Sequence, residues 1–544
     1  MNPVTLLLLC GSAWAAVDSD LVTSLPGYDG MLPTKHYSGM IPTKHPTNSS
    51  ITVFHHYWLV EAQAPLDPKT APTIVWMQGG PGGSSLIGLL TENGPITLND
   101  YSTRTAAFNS TKIPTVFTND FSWNILGNIL YVEHPAPTGF SYCTGYDDSG
   151  FQCPPWDDGT QADSSYRFFV KFFSEKYFPE LKNNDFWFSG ESYAGVLVPT
   201  LSERLLAART PSNADIAPYS VRGFALGNDC PGNRVYTCTP YSGWIGTRVA
   251  LDFRFRHGMI NESLYKKINQ VCQGQWDTFE SPGEECAKLL EDPVRPVLSS
   301  AGDTYQMGGG YYLYDTCDPD LLSLDIATSR PRLTAGKEYT VEWLLLLEKE
   351  RKREKNKQRG KEIEVVGVVD DAAVEEPAEY DNNAGTYACG QERNSLVWLN
   401  LEAVRKAIHV PTKEESGRTF DFSTGLPGYN FTAHSLLDLY NDTLIPNLTI
   451  MQYSGDADPC VPYIGTERWI ESLHMPVVQP WRPWKSGTEI AGYTTTYLAE
   501  GNDPNHFFDF VTVRNAGHMV PRYKPASALH MMANFLNKAG TTNN

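Results

Sequence analysis

The chain has 544 residues and carries 62 Asp and Glu against 43 Lys and Arg, a formal charge of −19 at pH 7. With 41% hydrophobic, 12% aromatic and only 19% charged residues, it is too apolar to remain mostly disordered. Its acidic balance excludes general DNA or RNA binding, which needs basic surface to displace counterions.

The elements follow in chain order. Val4–Cys10 is a short apolar run, and the small residues Ala13, Ala15 and Ala16 follow around Trp14. This pattern predicts a signal peptide over residues 1–16. The run is too short for a bilayer core of about 30 Å, and no later segment is long enough, so no membrane partner is expected. The mature chain is expected in the secretory pathway, either secreted or in a vacuolar or lysosomal lumen. Six Asn-x-Ser/Thr sequons, at Asn48, Asn109, Asn261, Asn430, Asn441 and Asn447, agree with that route. Nine cysteines remain after the leader, without any Cys-x-x-Cys spacing, which favours disulfides over metal binding. Short intervals predict Cys143–Cys153 and Cys230–Cys238 as local loops, and an odd count leaves one thiol over.

Thr73–Met77 is an apolar run that stops at Gln78-Gly79-Gly80-Pro81-Gly82-Gly83, reading as a buried strand that feeds a turn. Asn128–Val132 repeats the pattern before Pro135, Phe186–Ser189 before Gly190, and Leu448–Tyr453 before Gly455. Between them lie helical stretches such as Ser164–Tyr177, with Phe168, Phe169, Phe172 and Phe173 on one face. Alternating strands and helices predict an α/β fold with a central, mostly parallel sheet, whose site lies beyond the carboxyl ends of the strands. From about Asn228 to Cys389 the pattern loosens. A charge run, Glu348–Glu364, holds eight Lys/Arg against five Glu, and Asp370–Asp381 adds six acids. Mixed signs make this a solvated linker rather than a nucleic-acid tail.

Chemistry concentrates where Phe186–Ser189 runs into Gly190-Glu191-Ser192-Tyr193-Ala194-Gly195 and then into helix-compatible Val196–Leu206. Gly-x-Ser between a strand and a helix is the setting in which a strained serine projects its hydroxyl. Two later strand ends supply an acid and a base in the order Ser, Asp, His. Leu448–Tyr453 ends at Ser454-Gly455-Asp456-Ala457-Asp458, and Phe510–Val513 ends at Asn515-Ala516-Gly517-His518. No His-Glu-x-x-His motif or ligand cluster supports a metal hydrolase.

The segments Gln78–Ser85, Gly190–Gly195, Ser454–Asp458 and Asn515–Pro521 resemble the serine carboxypeptidases. Weaker similarity runs through Leu25–Gly27, Tyr37–Gly39, Tyr57–Ala62, Phe121–Asn124 and Gly139–Tyr142, and Leu399–His409 resembles the family's helix before the acid. The resemblance implies an α/β-hydrolase fold with flanking helices. The core would comprise residues 17–227 and 390–544, interrupted by a cap subdomain over 228–389 that carries the charged linker 348–381. It implies no cofactor, and peptide or protein C-termini as substrates. Ser192 would be the nucleophile, His518 the general base and acid, and Asp458, rather than Asp456, its orienting partner. Backbone N–H groups of Gly80 and Tyr193 would form the oxyanion hole, and Gln78, Glu191 and Glu92 would bind the substrate carboxylate. A close carboxyl pair that shares one proton binds an anion better as pH falls, so activity is expected to favour acid.

The chain also departs from the family's pattern. Gln78 stands where the family has Asn, Ala194 stands where the elbow motif usually ends in glycine, and His134–Pro137 replaces the usual Pro-x-Gly segment. Gly83 replaces a cysteine that normally bridges to the position of Cys389, leaving Cys389 to pair with Cys460 or stay reduced. Two other activities share these motifs: acyl transfer to an alcohol by a carboxypeptidase-like acyltransferase, and an inactive hydrolase fold used for binding.

Overall fold

A computed structural model describes residues 18–147, 151–209, 221–236, 243–275, 283–291, 310–315, 317, 389–499 and 506–541. The signal-peptide segment, the charged linker and Cys238 lie outside the described residues.

The strands are β1 (Leu21–Val22), β2 (His36–Lys44), β3 (Thr52–Val60), β4 (Thr73–Met77), β5 (Ile96–Thr97), β6 (Phe117–Thr118), β7 (Asn128–Val132), β8 (Tyr142–Thr144), β9 (Phe186–Glu191), β10 (Val221–Gly227), β11 (Thr449–Gly455), β12 (Val477–Ser486), β13 (Glu489–Leu498) and β14 (Phe507–Val513). Apart from the separate pair β5–β6, they form one sheet in the order β1-β2-β3-β7-β4-β9-β10-β11-β14-β13-β12, with β8 also pairing β3. The six central strands from β7 to β14 run parallel. Antiparallel strands extend both edges. The fold is thus the expected α/β-hydrolase type.

Parallel strands covered on both faces read as continuous apolar runs, and every residue of β4, β7 and β9 is buried. Alternate side chains divide between two cores. Ile74, Trp76 and Trp187 face one that also contains Trp398 and Phe535. Val75, Met77, Phe186 and Phe188 face the other, with Phe168, Phe169 and Phe172. The latter phenylalanines come from the helix Asp158–Phe172, which starts six residues before the sequence pattern suggested and ends at Phe172. Its true start is set by Asp157, whose carboxylate accepts the Thr160 N–H in a capping box. The stretch Leu399–His409 holds the last residue of one helix, Gln391–Leu399, and the whole of a second, Glu402–Ala407.

Within the 228–389 interval, helices Gly243–Arg256, Glu262–Val271 and Glu284–Glu291 carry a small core around Ile260, Ile268 and Leu290, tied by Cys272–Cys286. Cys143–Cys153 is bridged as expected, and Cys230 is disulfide-bonded. Cys389 pairs with Cys317 rather than with Cys460, which keeps its thiol. Spacing could not reveal this bridge, because 72 residues separate its two ends.

Phe172 is fully buried and packs on Phe168, Phe173, Phe178 and Tyr57. Phe172→Ala should therefore lower unfolding free energy by about 3–5 kcal/mol in guanidinium titration. Met31→Ala, at a 92% exposed residue, should shift it by less than about 0.5 kcal/mol. Equal effects would contradict the core assignment.

Candidate active site

Register aligns the carboxyl ends of the central strands: Met77 opposes Gly190, Glu191 opposes Gly227, Gly227 opposes Tyr453, and Gly455 opposes Val513. The turns that follow these strands, with all the expected chemistry, therefore gather along one edge.

Ser192 follows β9 directly and has φ +62°, a left-handed backbone that non-glycine residues rarely adopt. The helix Ala194–Ala207 starts two residues later. This turn requires bare neighbours. A Cβ on Gly190 would sit 2.1 Å from the Met77 carbonyl oxygen, and one on Gly195 would sit 2.6 Å from the backbone N and O of Cys230. Ala194 is tolerated because the side opposite it is the bare Gly190. The strain is held by two main-chain bonds. Ser192 N–H donates to the Gly227 carbonyl at 3.0 Å, and Cys230 N–H donates to the Ser192 carbonyl at 3.1 Å.

His518 presents Nδ1 to Asp458 Oδ2 at 2.7 Å. Asp458 is fully buried, and its carboxylate oxygens accept from further donors: Asn228 Nδ2 at 2.8 Å, Cys460 N–H at 2.7 Å and Val461 N–H at 3.1 Å. Asp456 has a different task, accepting the Asn515 N–H at 2.6 Å and so joining the acid loop to the histidine loop.

Sequence reasoning passed over Asn228 and Tyr311. Asn228 has φ +41° and links Asp458 to the acid loop, since its Oδ1 accepts the Gly455 N–H at 2.9 Å. The signal in the sequence is an asparagine directly after a strand that ends in glycine, since asparagine adopts the left-handed region more readily than most residues. Tyr311 comes from the loose interval. Its carbonyl accepts the His518 N–H at 2.6 Å, and its ring stacks on the imidazole with centroids 4.9 Å apart. Nothing local in the sequence announces that contact.

Gly80, at φ +114°, lies in the turn after β4. That turn abuts the elbow: a Cβ on Gly79 would lie 2.5 Å from the Tyr193 nitrogen and 2.7 Å from the Ser192 Cβ. Gln78 Nε2 donates to Glu191 Oε1 at 2.5 Å, while Gln78 Oε1 accepts from Trp76 Nε1 at 2.9 Å. Gln78, which stands where the family has Asn, thus holds its amide against the Glu191 carboxyl. Glu92, on the helical turn Gly88–Glu92, is buried near Glu191. Burial raises the Glu92 carboxyl to about 8, against the pull of the Arg522 guanidinium. Burial first, and the Glu92 charge second, push Glu191 well above the usual carboxylate range. All eight expected side chains or backbone groups thus lie along one edge. The described residues contain no group of three or more His, Cys, Asp or Glu placed to hold a metal.

The His134–Pro137 segment is anchored rather than loose. His134 Nδ1 meets Ser165 Oγ at 2.9 Å, and the Pro137 carbonyl accepts from Arg418 at 2.8 Å.

A strained serine between strand and helix, followed in chain order by a paired acid and histidine, places the protein in the α/β-hydrolase class. The chain belongs to the serine carboxypeptidase family, whose model matches residues 26–538. It is 30% identical to serine carboxypeptidase-like 20 of Arabidopsis thaliana, over 96% of this chain and 94% of the relative. It is 29% identical to the lysosomal protective protein of Mus musculus, over 99% and 98%. Its fold is similar to that of Kex1(delta)p, a prohormone-processing carboxypeptidase from Saccharomyces cerevisiae, with a TM-score of 0.62, 18% identity, and coverage of 93% and 91%. No described helix is long and apolar enough to cross a membrane.

The raised carboxyls have a consequence for stability. Glu92 binds a proton in the folded state that the unfolded chain has released above about pH 4.5. Its stabilising contribution is therefore full below about pH 4.5 and is lost as pH rises toward about 8. Buried His36 and His55, lowered to about 3, and His134, lowered to about 4, act in the opposite sense as pH falls below their unfolded value of 6.5. Between pH 5 and 8, Glu92→Gln should flatten the loss of unfolding free energy by up to about 1.4 kcal/mol per pH unit. Denaturant titrations of both proteins at each pH would show it; parallel curves would refute the buried proton.

Proposed function

We propose that the protein is a serine carboxypeptidase that releases C-terminal residues from peptides through an acyl-enzyme, favoured at acidic pH. The observation that carries this reading is the buried Glu92–Glu191 carboxyl pair, contacted by the Gln78 amide, directly beside the elbow serine. An ordinary serine hydrolase needs no such pair.

In this reading Ser192 Oγ attacks the scissile carbonyl carbon as His518 takes its proton, and Asp458 holds the imidazole tautomer through Nδ1. The C–N bond breaks as His518 passes that proton to the leaving amine. Water then attacks the acyl-enzyme with His518 again as base, which releases the shortened peptide and restores the Ser192 hydroxyl. Backbone N–H groups of Gly80 and Tyr193 stabilise the oxyanion, an effect worth about 2.7–4 kcal/mol per donor. The Gln78 amide and the proton shared by Glu92 and Glu191 receive the substrate's terminal carboxylate. As pH rises through the raised carboxyl range that proton leaves, and two negative charges then face an anionic substrate.

Residues 228–389 act as a cap on the site edge, a reading supported by the seating of Tyr311 on His518. Secretory targeting is supported by the disulfides and by the exposure of all six sequon asparagines.

Blocked dipeptides incubated from pH 4 to 8 should lose their C-terminal residue, with none released by Ser192→Ala. Ester formation with an added alcohol, in place of trimming, would replace the peptidase reading by acyl transfer. Cleavage should run faster near pH 5 than near pH 8, and Glu191→Gln should retain more of its activity at the higher pH. An unchanged profile in that variant would remove Glu191 from carboxylate binding.

A further inference from the structure

Asp158 is only 2% exposed and stands in the first turn of the helix Asp158–Phe172. Donors reach its carboxylate from two other parts of the chain. Oδ1 accepts the Tyr193 hydroxyl at 2.7 Å and the Tyr429 hydroxyl at 2.8 Å. Oδ2 accepts the backbone N–H groups of Thr432 at 2.6 Å and Ala433 at 2.8 Å, with Thr432 Oγ1 at 3.4 Å.

Tyr193 is the residue next to Ser192, and its backbone nitrogen faces the Gly79 turn. Its side chain is 1% exposed, with its ring edge-on to Phe431 at 5.6 Å and to Tyr429 at 6.3 Å. The residue is thus held at its far end by Asp158 while its main chain borders the reacting serine. Such anchorage matters because a left-handed serine persists only where surrounding structure over-determines it. An oxyanion donor must also lie 2.7–3.1 Å from where the charge develops.

We infer that Asp158 is a positioning residue which, through the Tyr193 phenol, holds the Tyr193 N–H and the Ser192 elbow in oxyanion-stabilising geometry. The inference rests on acyl transfer at Ser192 and adds a residue that touches no substrate atom. It differs from a purely structural role for Asp158 by acting on the transition state more than on substrate binding.

The test compares wild type, Asp158→Asn, Tyr193→Phe and the double variant, each assayed well below its own melting midpoint. Tyr193→Phe removes one hydroxyl and leaves the bonds from Asp158 to residues 432–433 intact, so it decides the matter if Asp158→Asn does not fold. Each single variant should lose about tenfold to hundredfold in kcat, with KM moving less than about threefold. Affinity for a peptide boronic acid, which places an oxygen in the oxyanion hole, should fall with kcat. The double variant should be no slower than Asp158→Asn. Full kcat in folded Tyr193→Phe, or losses that multiply in the double variant, would overturn the inference. Labelling of wild type by a fluorophosphonate separates the two levels of the reading. Rapid labelling of wild type and of both variants alike sinks the role of Asp158 alone, whereas no labelling of folded wild type brings down acyl transfer at Ser192 and this role with it.

Discussion

The site depends on one backbone constraint: a serine in the left-handed region, at φ +62°, between a buried strand and a helix. Such a residue costs about 1–3 kcal/mol and survives only when its surroundings leave no alternative. Gly190 and Gly195 provide the necessary emptiness, since a side chain at either would enter the Met77 or Cys230 backbone. The parallel register supplies the rest. Because β10 ends beside β9, with Gly227 opposite Glu191, its last residue and the turn after it brace the serine with short main-chain bonds.

Beneath the serine, several buried carboxyls solve the same electrostatic problem differently. Asp458 is surrounded by three N–H donors and the His518 imidazole. Glu392 is paired with the Arg522 guanidinium. Glu92 and Glu191 have less compensation: Gln78 donates to one, and Arg522 acts on the other through space. Holding a proton is the remaining way to avoid a buried charge. The number of donors each carboxyl receives thus separates Glu92 and Glu191 from their neighbours in this small volume.

Much of the fold was legible because buried parallel strands leave continuous apolar runs. Thr73–Met77 and Asn128–Val132 match observed strands to the residue. Ser192, Asp458 and His518 were legible as candidates for a related reason, since each stands just past a strand end. What escaped was set by tertiary contact or by turn chemistry. The apolar pattern places a helix only from Ser164, yet the Asp157 capping box starts it at Asp158, whose carboxylate joins distant segments. The hairpin β12–β13 carries Pro480 and Pro483, which disguise an edge strand, a setting in which proline is tolerated. Tyr311 and Asn228 reach the site across more than two hundred residues or through an unusual backbone angle, and neither leaves a periodic trace.

The bridge between Cys317 and Cys389, at a sequence separation of 72, closes a loop around the entire charged segment. Any peptide bond in residues 318–388 can therefore be cut without separating the two halves of the chain. The halves would remain one covalent molecule until reduced. The bridge also lies two residues beyond Asp315, at the end of the segment that brings Tyr311 against His518. Backbone continuity through the charged segment and integrity of the histidine's surroundings are thus separable properties. A two-chain form would carry the same anchored tyrosine as the single chain.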